Sequence, residues 1–201
     1  MQTVLLILAH PNLQQSKINY HLLQYAKALP FLHIHDLSEE YPDGVIDIES
    51  EQKLLSKFEH VVFQHPFYWY SAPSMLKEWF DLVLQYNYAY GPYGDKLKGK
   101  SWLSIITTGG GQMAYCETGH NRFTMEQLLT PFEQTAHLCQ MQYLPPFIIH
   151  GARKLFDDKP RLASVKQDYI DRLTLLSKMT KDNSSSTQTT QPKTNQEFGA
   201  L

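Results

Sequence analysis

Four short runs of this chain, residues 4–9, 61–64, 102–107 and 147–150, are almost continuously apolar. A strand with one wet face alternates apolar and polar residues, so an unbroken apolar run marks a strand covered on both faces. Covering both faces of a sheet takes helices on either side, and the intervening segments supply them. Residues 16–29 carry Leu22, Leu23, Tyr25, Ala26 and Leu29 at helical spacing and stop at Pro30. Pro73 opens a helix over 74–86 with an apolar stripe of Leu76, Trp79, Phe80, Val83 and Leu84. Residues 124–139 read as a helix kinked at Pro131, and 162–179 as the last helix. A weaker run, 31–37, alternates as an edge strand does. Strand and helix therefore alternate five times, which predicts an α/β domain with a doubly wound five-stranded parallel sheet of order 2-1-3-4-5.

Bulk composition narrows the partners. With 42% hydrophobic and 19% charged residues the chain reads as one soluble globular domain of 201 residues. A net charge of −2 gives no general attraction to nucleic acid or an anionic membrane, so a phosphate ligand must be held by local geometry. The two cysteines, Cys116 and Cys139, form no C-x-x-C pair, which fits a reducing cytosol. The first nine residues are apolar, but too short to span a bilayer, and read as a buried strand. Residues 181–201, rich in Ser, Thr, Gln and Asn, read as a disordered tail outside a domain of residues 1–180.

In open α/β sheets ligands bind beyond the carboxyl ends of the strands, where the winding reverses. The three loops that meet there are the most unusual in the sequence. The first runs from His10 into a helix through Ser16, Lys17, Ile18 and Asn19, and its first-turn amides suit a phosphate. By itself it reads more readily as a plain helix cap than as a phosphate site. It lacks both G-x-G-x-x-G and G-x-x-x-x-G-K-[ST]. The second loop holds four aromatics in a row, Phe67, Tyr68, Trp69 and Tyr70. They cannot all enter a core, so some line a cavity for a flat tricyclic ring or a dimer interface. The third, Thr107-Thr108-Gly109-Gly110-Gly111, lets a ligand approach backbone amides that could meet the polar edge of a flavin.

The stretches LAHPNLQQSKIN, YPDGVIDIESEQ, FQHPFYWYSAPSMLKEW, AYGPYGDKLKGK, ITTGGG and YLPPFIIHGA resemble the flavodoxin-fold NAD(P)H:quinone oxidoreductase superfamily. More closely they resemble the ancillary proteins of glutathione-gated potassium efflux systems. The resemblance covers about three quarters of the chain, over residues 4–152. It implies a flavodoxin-like fold, a homodimer with the site near the interface, and FMN contacts at His10, Ser16, Lys17, Ile18, Asn19, Phe67, Tyr68, Trp69, Tyr70, Thr107, Thr108, Gly109 and Gly110. It also implies catalytic roles for Tyr115 and His120, a Tyr and a His after the glycine loop, although their spacing departs by about one residue from the family pattern.

The expected reaction is a ping-pong transfer in which NADH or NADPH gives a hydride to FMN and a quinone takes it. The alternative is a regulatory subunit docked on the cytosolic face of a potassium–proton antiporter. An electron carrier is disfavoured because carriers tend to be strongly acidic. Both leading readings place the protein in the cytoplasm, the second at the inner face of the membrane. His33 and His35 share one side of the edge strand and read as a solvated face rather than a metal pair. His60, His65, His137 and His150 read as structural.

Overall fold

The computed structural model describes residues 3–179, so the expected tail lies outside the described residues. Strand β1, Val4–Leu8, lies between β2, Leu32–Asp36, and β3, His60–Pro66. Next comes β4, Ser101–Thr107, and every pairing is parallel. The order is 2-1-3-4-5, as the sequence predicts. The fifth strand, however, is broken into β5, Gln142–Tyr143, and β6, Phe147–Ile149, both paired to β4. Between the Trp102–Tyr143 and Ile105–Phe147 pairs this strand has one residue more than β4. The extra residue falls at Pro145 and Pro146, which have no N–H to give the ladder.

The helices are α1, Lys17–Ala26; α2, Leu37–Glu40; α3, Ile48–Ser56; α4, Ser74–Val83; α5, Met125–Leu128; α6, Thr130–Leu138; α7, Ala152–Leu155; and α8, Lys159–Ser177. The single kinked helix expected over 124–139 is two helices. Leu129, at φ −96° and ψ 1°, separates them, and Pro131 stands in the first turn of α6, where a missing N–H is harmless. Helix α8 starts earlier than expected because the Asp158 side chain caps it by accepting from Arg161 N–H.

Both sheet faces are covered. Leu5, Ile7, Phe63, Trp102 and Ile106 pack with Leu55, Leu76, Trp79 and Phe132 from α3, α4 and α6. Leu6, Leu8, Val62 and Ile105 pack with Leu22, Leu155, Tyr169 and Leu173 from α1, α7 and α8. One carboxylate is embedded in the first layer. Glu51 accepts hydrogen bonds from Tyr41 Oη at 2.6 Å, Trp79 Nε1 at 2.7 Å and His35 Nε2 at 2.7 Å. Burial alone would raise its pKa, but these three partners outweigh it and hold the carboxyl below its ordinary value. The expectation of a solvated face at His33 and His35 is therefore corrected. His35 closes on Glu51, and the His33 ring lies 5.4 Å from that of Phe58.

Candidate functional site

The loop after β1 begins with His10, whose Nδ1 accepts from Asn12 N–H at 3.1 Å. Burial lowers the pKa of this imidazole and favours its neutral form. A 3₁₀ turn, Leu13–Gln15, then leads to Ser16, the cap of α1. Ser16 Oγ accepts from Asn19 N–H at 3.3 Å and from Asn19 Nδ2 at 3.1 Å. Asn19 is 2% exposed. Its amide nitrogen also donates to Thr107 Oγ1 at 3.0 Å, and its oxygen accepts from Gln64 Nε2 at 3.3 Å. Gln64 in turn accepts from Tyr169 Oη at 2.8 Å. This buried chain of polar groups ties α1 to β3, β4 and α8. Asn19 thus braces the loop, while the amides of Lys17 and Ile18, at the start of α1, have no partner within the helix.

The loop after β3 resolves the four aromatics by bending back on itself. Tyr68 and Ser71 exchange backbone hydrogen bonds at 3.2 and 3.0 Å, closing a two-residue turn. Both central residues, Trp69 and Tyr70, have positive φ, 49° and 61°. This is the geometry of a type I′ hairpin, which Asn-Gly adopts readily and bulky side chains do not. The four rings then part company. Phe67 is half-buried, with the rings of Tyr70 and Tyr115 at 6.3 and 6.1 Å. Tyr68 meets His10 edge-on at 6.4 Å, and Tyr70 Oη donates to Asn121 Oδ1 at 3.4 Å. Trp69 is 94% exposed.

The glycine loop after β4 has no positive φ at Gly109, Gly110 or Gly111. Its glycines therefore provide space rather than an unusual backbone. A Cβ on Gly110 would come within 3.3 Å of both Ala114 Cβ and Tyr115 Cε2, so its absence lets the Tyr115 side chain lie against the loop. A Cβ on Gly109 would meet nothing closer than Arg153 Nε at 3.5 Å. Burial raises the pKa of Tyr115 and keeps its hydroxyl a donor. His150, expected to be purely structural, abuts this group: its ring is 5.5 Å from that of Tyr115, and its Nδ1 is 3.2 Å from Thr108 Oγ1.

These loops enclose one cavity of about 880 Å³. Its size suits a small-molecule or cofactor site, for which ~300–1,000 Å³ is usual. Every residue expected to hold FMN lines it, and so does Tyr115. His120 does not line it; that side chain is exposed, and its neighbour Asn121 faces the cavity instead. Asn12, Gln15, Pro66, Ala152 and Arg153 complete the wall. Of the residues that sequence reasoning missed, Arg153 had the faintest signal, a basic residue just after the HGA that follows β6. No carboxylate lines the cavity, and its two cations are Lys17 and Arg153. The donor set fits a phosphorylated planar ring: an anion end at the start of α1, and an aromatic and amide end between Phe67–Tyr70 and Gly109.

A family model described as flavodoxin-like fold matches residues 2–173. The chain belongs to the flavodoxin-like family. Within that family it is 50% identical over 155 residues to the glutathione-regulated potassium-efflux system ancillary protein KefG of Pectobacterium carotovorum, covering 77% of this chain and 85% of the relative. Among solved structures, general stress protein 14 of Treponema denticola, in complex with FMN, aligns with a TM-score of 0.81 at 34% identity, covering 87% of this chain and 99% of the other. An NADPH-quinone reductase from P. pentosaceus aligns with a TM-score of 0.73 at 30% identity, covering 84% and 98%.

Proposed function

We propose that the protein is an FMN-dependent NAD(P)H:quinone oxidoreductase working by two-electron ping-pong hydride transfer. The observation that carries this reading is the cavity itself, free of carboxylates, with a helix start at one end and aromatics and open glycines at the other. Bound FMN would supply a ring atom that takes hydride from a nicotinamide and yields it to a quinone. The chain's own residues do the rest. The amides of Lys17 and Ile18, with the Lys17 ammonium, hold the phosphate. Phe67–Tyr70 bound the ring, and the amides of Gly109 and Gly110 donate to its polar edge.

Tyr115 is placed to donate to charge that gathers there during reduction, and its raised pKa keeps it protonated. His120, the other expected donor, stands outside the cavity of a single chain, so Tyr115 carries more of this role. The exposed Trp69 at the rim, and the exposed Met113 beyond the glycines, offer apolar surface to a second copy and support a homodimer.

The KefG relative, named as an ancillary protein of a potassium-efflux system, favours a second reading: a cytoplasmic regulatory subunit docked on such an antiporter. Among the described residues no helix is long and apolar enough to cross a membrane. Steady-state kinetics with NADH or NADPH and a benzoquinone separate the two readings. The enzyme reading predicts parallel double-reciprocal lines. It also predicts a Tyr115→Phe variant that keeps FMN but slows flavin reduction, by up to the ~2.7–4 kcal/mol seen for a lost oxyanion donor. Absence of turnover with FMN bound would leave the regulatory reading alone.

A further inference from the structure

Arg153 is brought to the cavity by an unusual amount of backbone stitching. Thr108 N–H donates to Ile149 O at 3.0 Å, Gly151 N–H to Gly110 O at 2.8 Å, and Ala152 N–H to Thr108 O at 2.9 Å. Gly151 takes a left-handed conformation, φ 66° and ψ 34°, and turns the chain out of β6 into α7. The guanidinium then lies alongside Gly109. A side-chain carbon built there would stand 3.5 Å from its Nε, 3.9 Å from Cζ and 4.0 Å from Nη2. Among the described residues Arg153 forms no ion pair, and no carboxylate lines the cavity it faces. Arg153 is itself exposed, so its guanidinium stands at the open rim of the cavity beside Gly109.

Two-electron reduction of a flavin takes up two electrons and one proton, all carried by the hydride of a nicotinamide donor, and leaves one more negative charge on the ring. We propose that Arg153 stabilises this charge and so raises the two-electron reduction potential of FMN bound against Gly109 and Gly110. The proposal rests on the FMN reading above. Lys17 and the start of α1 serve the phosphate. Arg153 covers the glycine end, where the polar edge of the ring would lie.

The test compares wild-type holoprotein with Arg153→Met and Arg153→Lys. The midpoint potential is measured against reference dyes, and the affinity for oxidised FMN by flavin fluorescence. Removing one cation a few ångströms from the ring in a partly wet site should shift the balance of oxidised to reduced flavin by about tenfold. For a two-electron couple that is about 30 mV more negative. Arg153→Lys should recover at least half of the shift, and oxidised FMN should bind both variants as it binds wild type. An unchanged potential in Arg153→Met overturns the proposal. So does a fall in FMN affinity at constant potential, which would make Arg153 a phosphate ligand. A rise confined to the KM for NADPH would assign it to the donor's phosphates instead and would likewise overturn it. A wild-type protein that binds no FMN would fail at the first step and overturn the underlying reading as well.

Discussion

The two ends of the cavity are built on opposite principles. The anion end is held by relaxed, regular structure: Ser16 caps α1, and Asn19 satisfies three neighbours through a buried hydrogen-bonded chain that reaches Tyr169 on α8. The ring end is held under strain, with Trp69 and Tyr70 at positive φ and the Trp69 indole in water. Hydrogen bonds that stabilise the fold also shape the first end. The second end departs from the conformation its residues prefer, and such departures concentrate where a ligand or partner is met. The contrast predicts that mutations at the two ends will move stability in opposite directions while both weaken the site.

The largest effect is expected at the relaxed end. Asn19→Leu removes the partner of Gln64 Nε2 and of Thr107 Oγ1, and both residues are buried. Leaving two buried polar groups without partners should cost about 2–5 kcal/mol of unfolding free energy. Urea denaturation of the flavin-free protein would measure it. A loss below about 1 kcal/mol would show that the chain of polar groups is not a brace.

A smaller effect of opposite sign is expected at the strained end. Replacing Trp69 with Asn and Tyr70 with Gly gives the turn the residues it prefers. The double variant should be more stable by about 1–2 kcal/mol, the order of the strain at left-handed positions. It should also bind flavin more weakly. If stability falls instead, the turn is not strained and the two ends do not differ as described.

The sheet was legible because its cause is local. Runs 4–9, 61–64 and 102–107 are almost continuously apolar and do not alternate, and burial on both faces follows from that pattern. The site loops were legible because they end those same strands. What escaped was decided between distant segments. Glu51 sits in an acidic stretch with no local sign of burial, yet His35, Tyr41 and Trp79 all close on its carboxylate. Arg153 reaches the cavity through hydrogen bonds between the loops after β4 and β6, a pairing that no local pattern displays. The Asn19 brace escapes for the same reason, because a sequence shows a donor but not which neighbour has already engaged it. The break at Leu129 and the short β5 ahead of Pro145 escape for a simpler reason: a proline signals an interruption without saying whether the chain kinks or stops.

The central claim is that the open side of Gly109 is where FMN lies, and one titration tests it most directly. Purified wild type, Gly109→Val and Gly111→Val are each titrated with FMN, following flavin fluorescence, with thermal unfolding of the flavin-free proteins recorded alongside. Gly109 has room for a side chain beside the flexible Arg153, and Gly111, at φ −71° and ψ 167°, has nothing within 4 Å of an added carbon. Both variants should therefore fold like wild type. The account predicts saturable one-to-one binding to wild type and to Gly111→Val, and no detectable binding to Gly109→Val, whose side chain would occupy the space the ring needs. Undiminished FMN affinity in a folded Gly109→Val protein would contradict it.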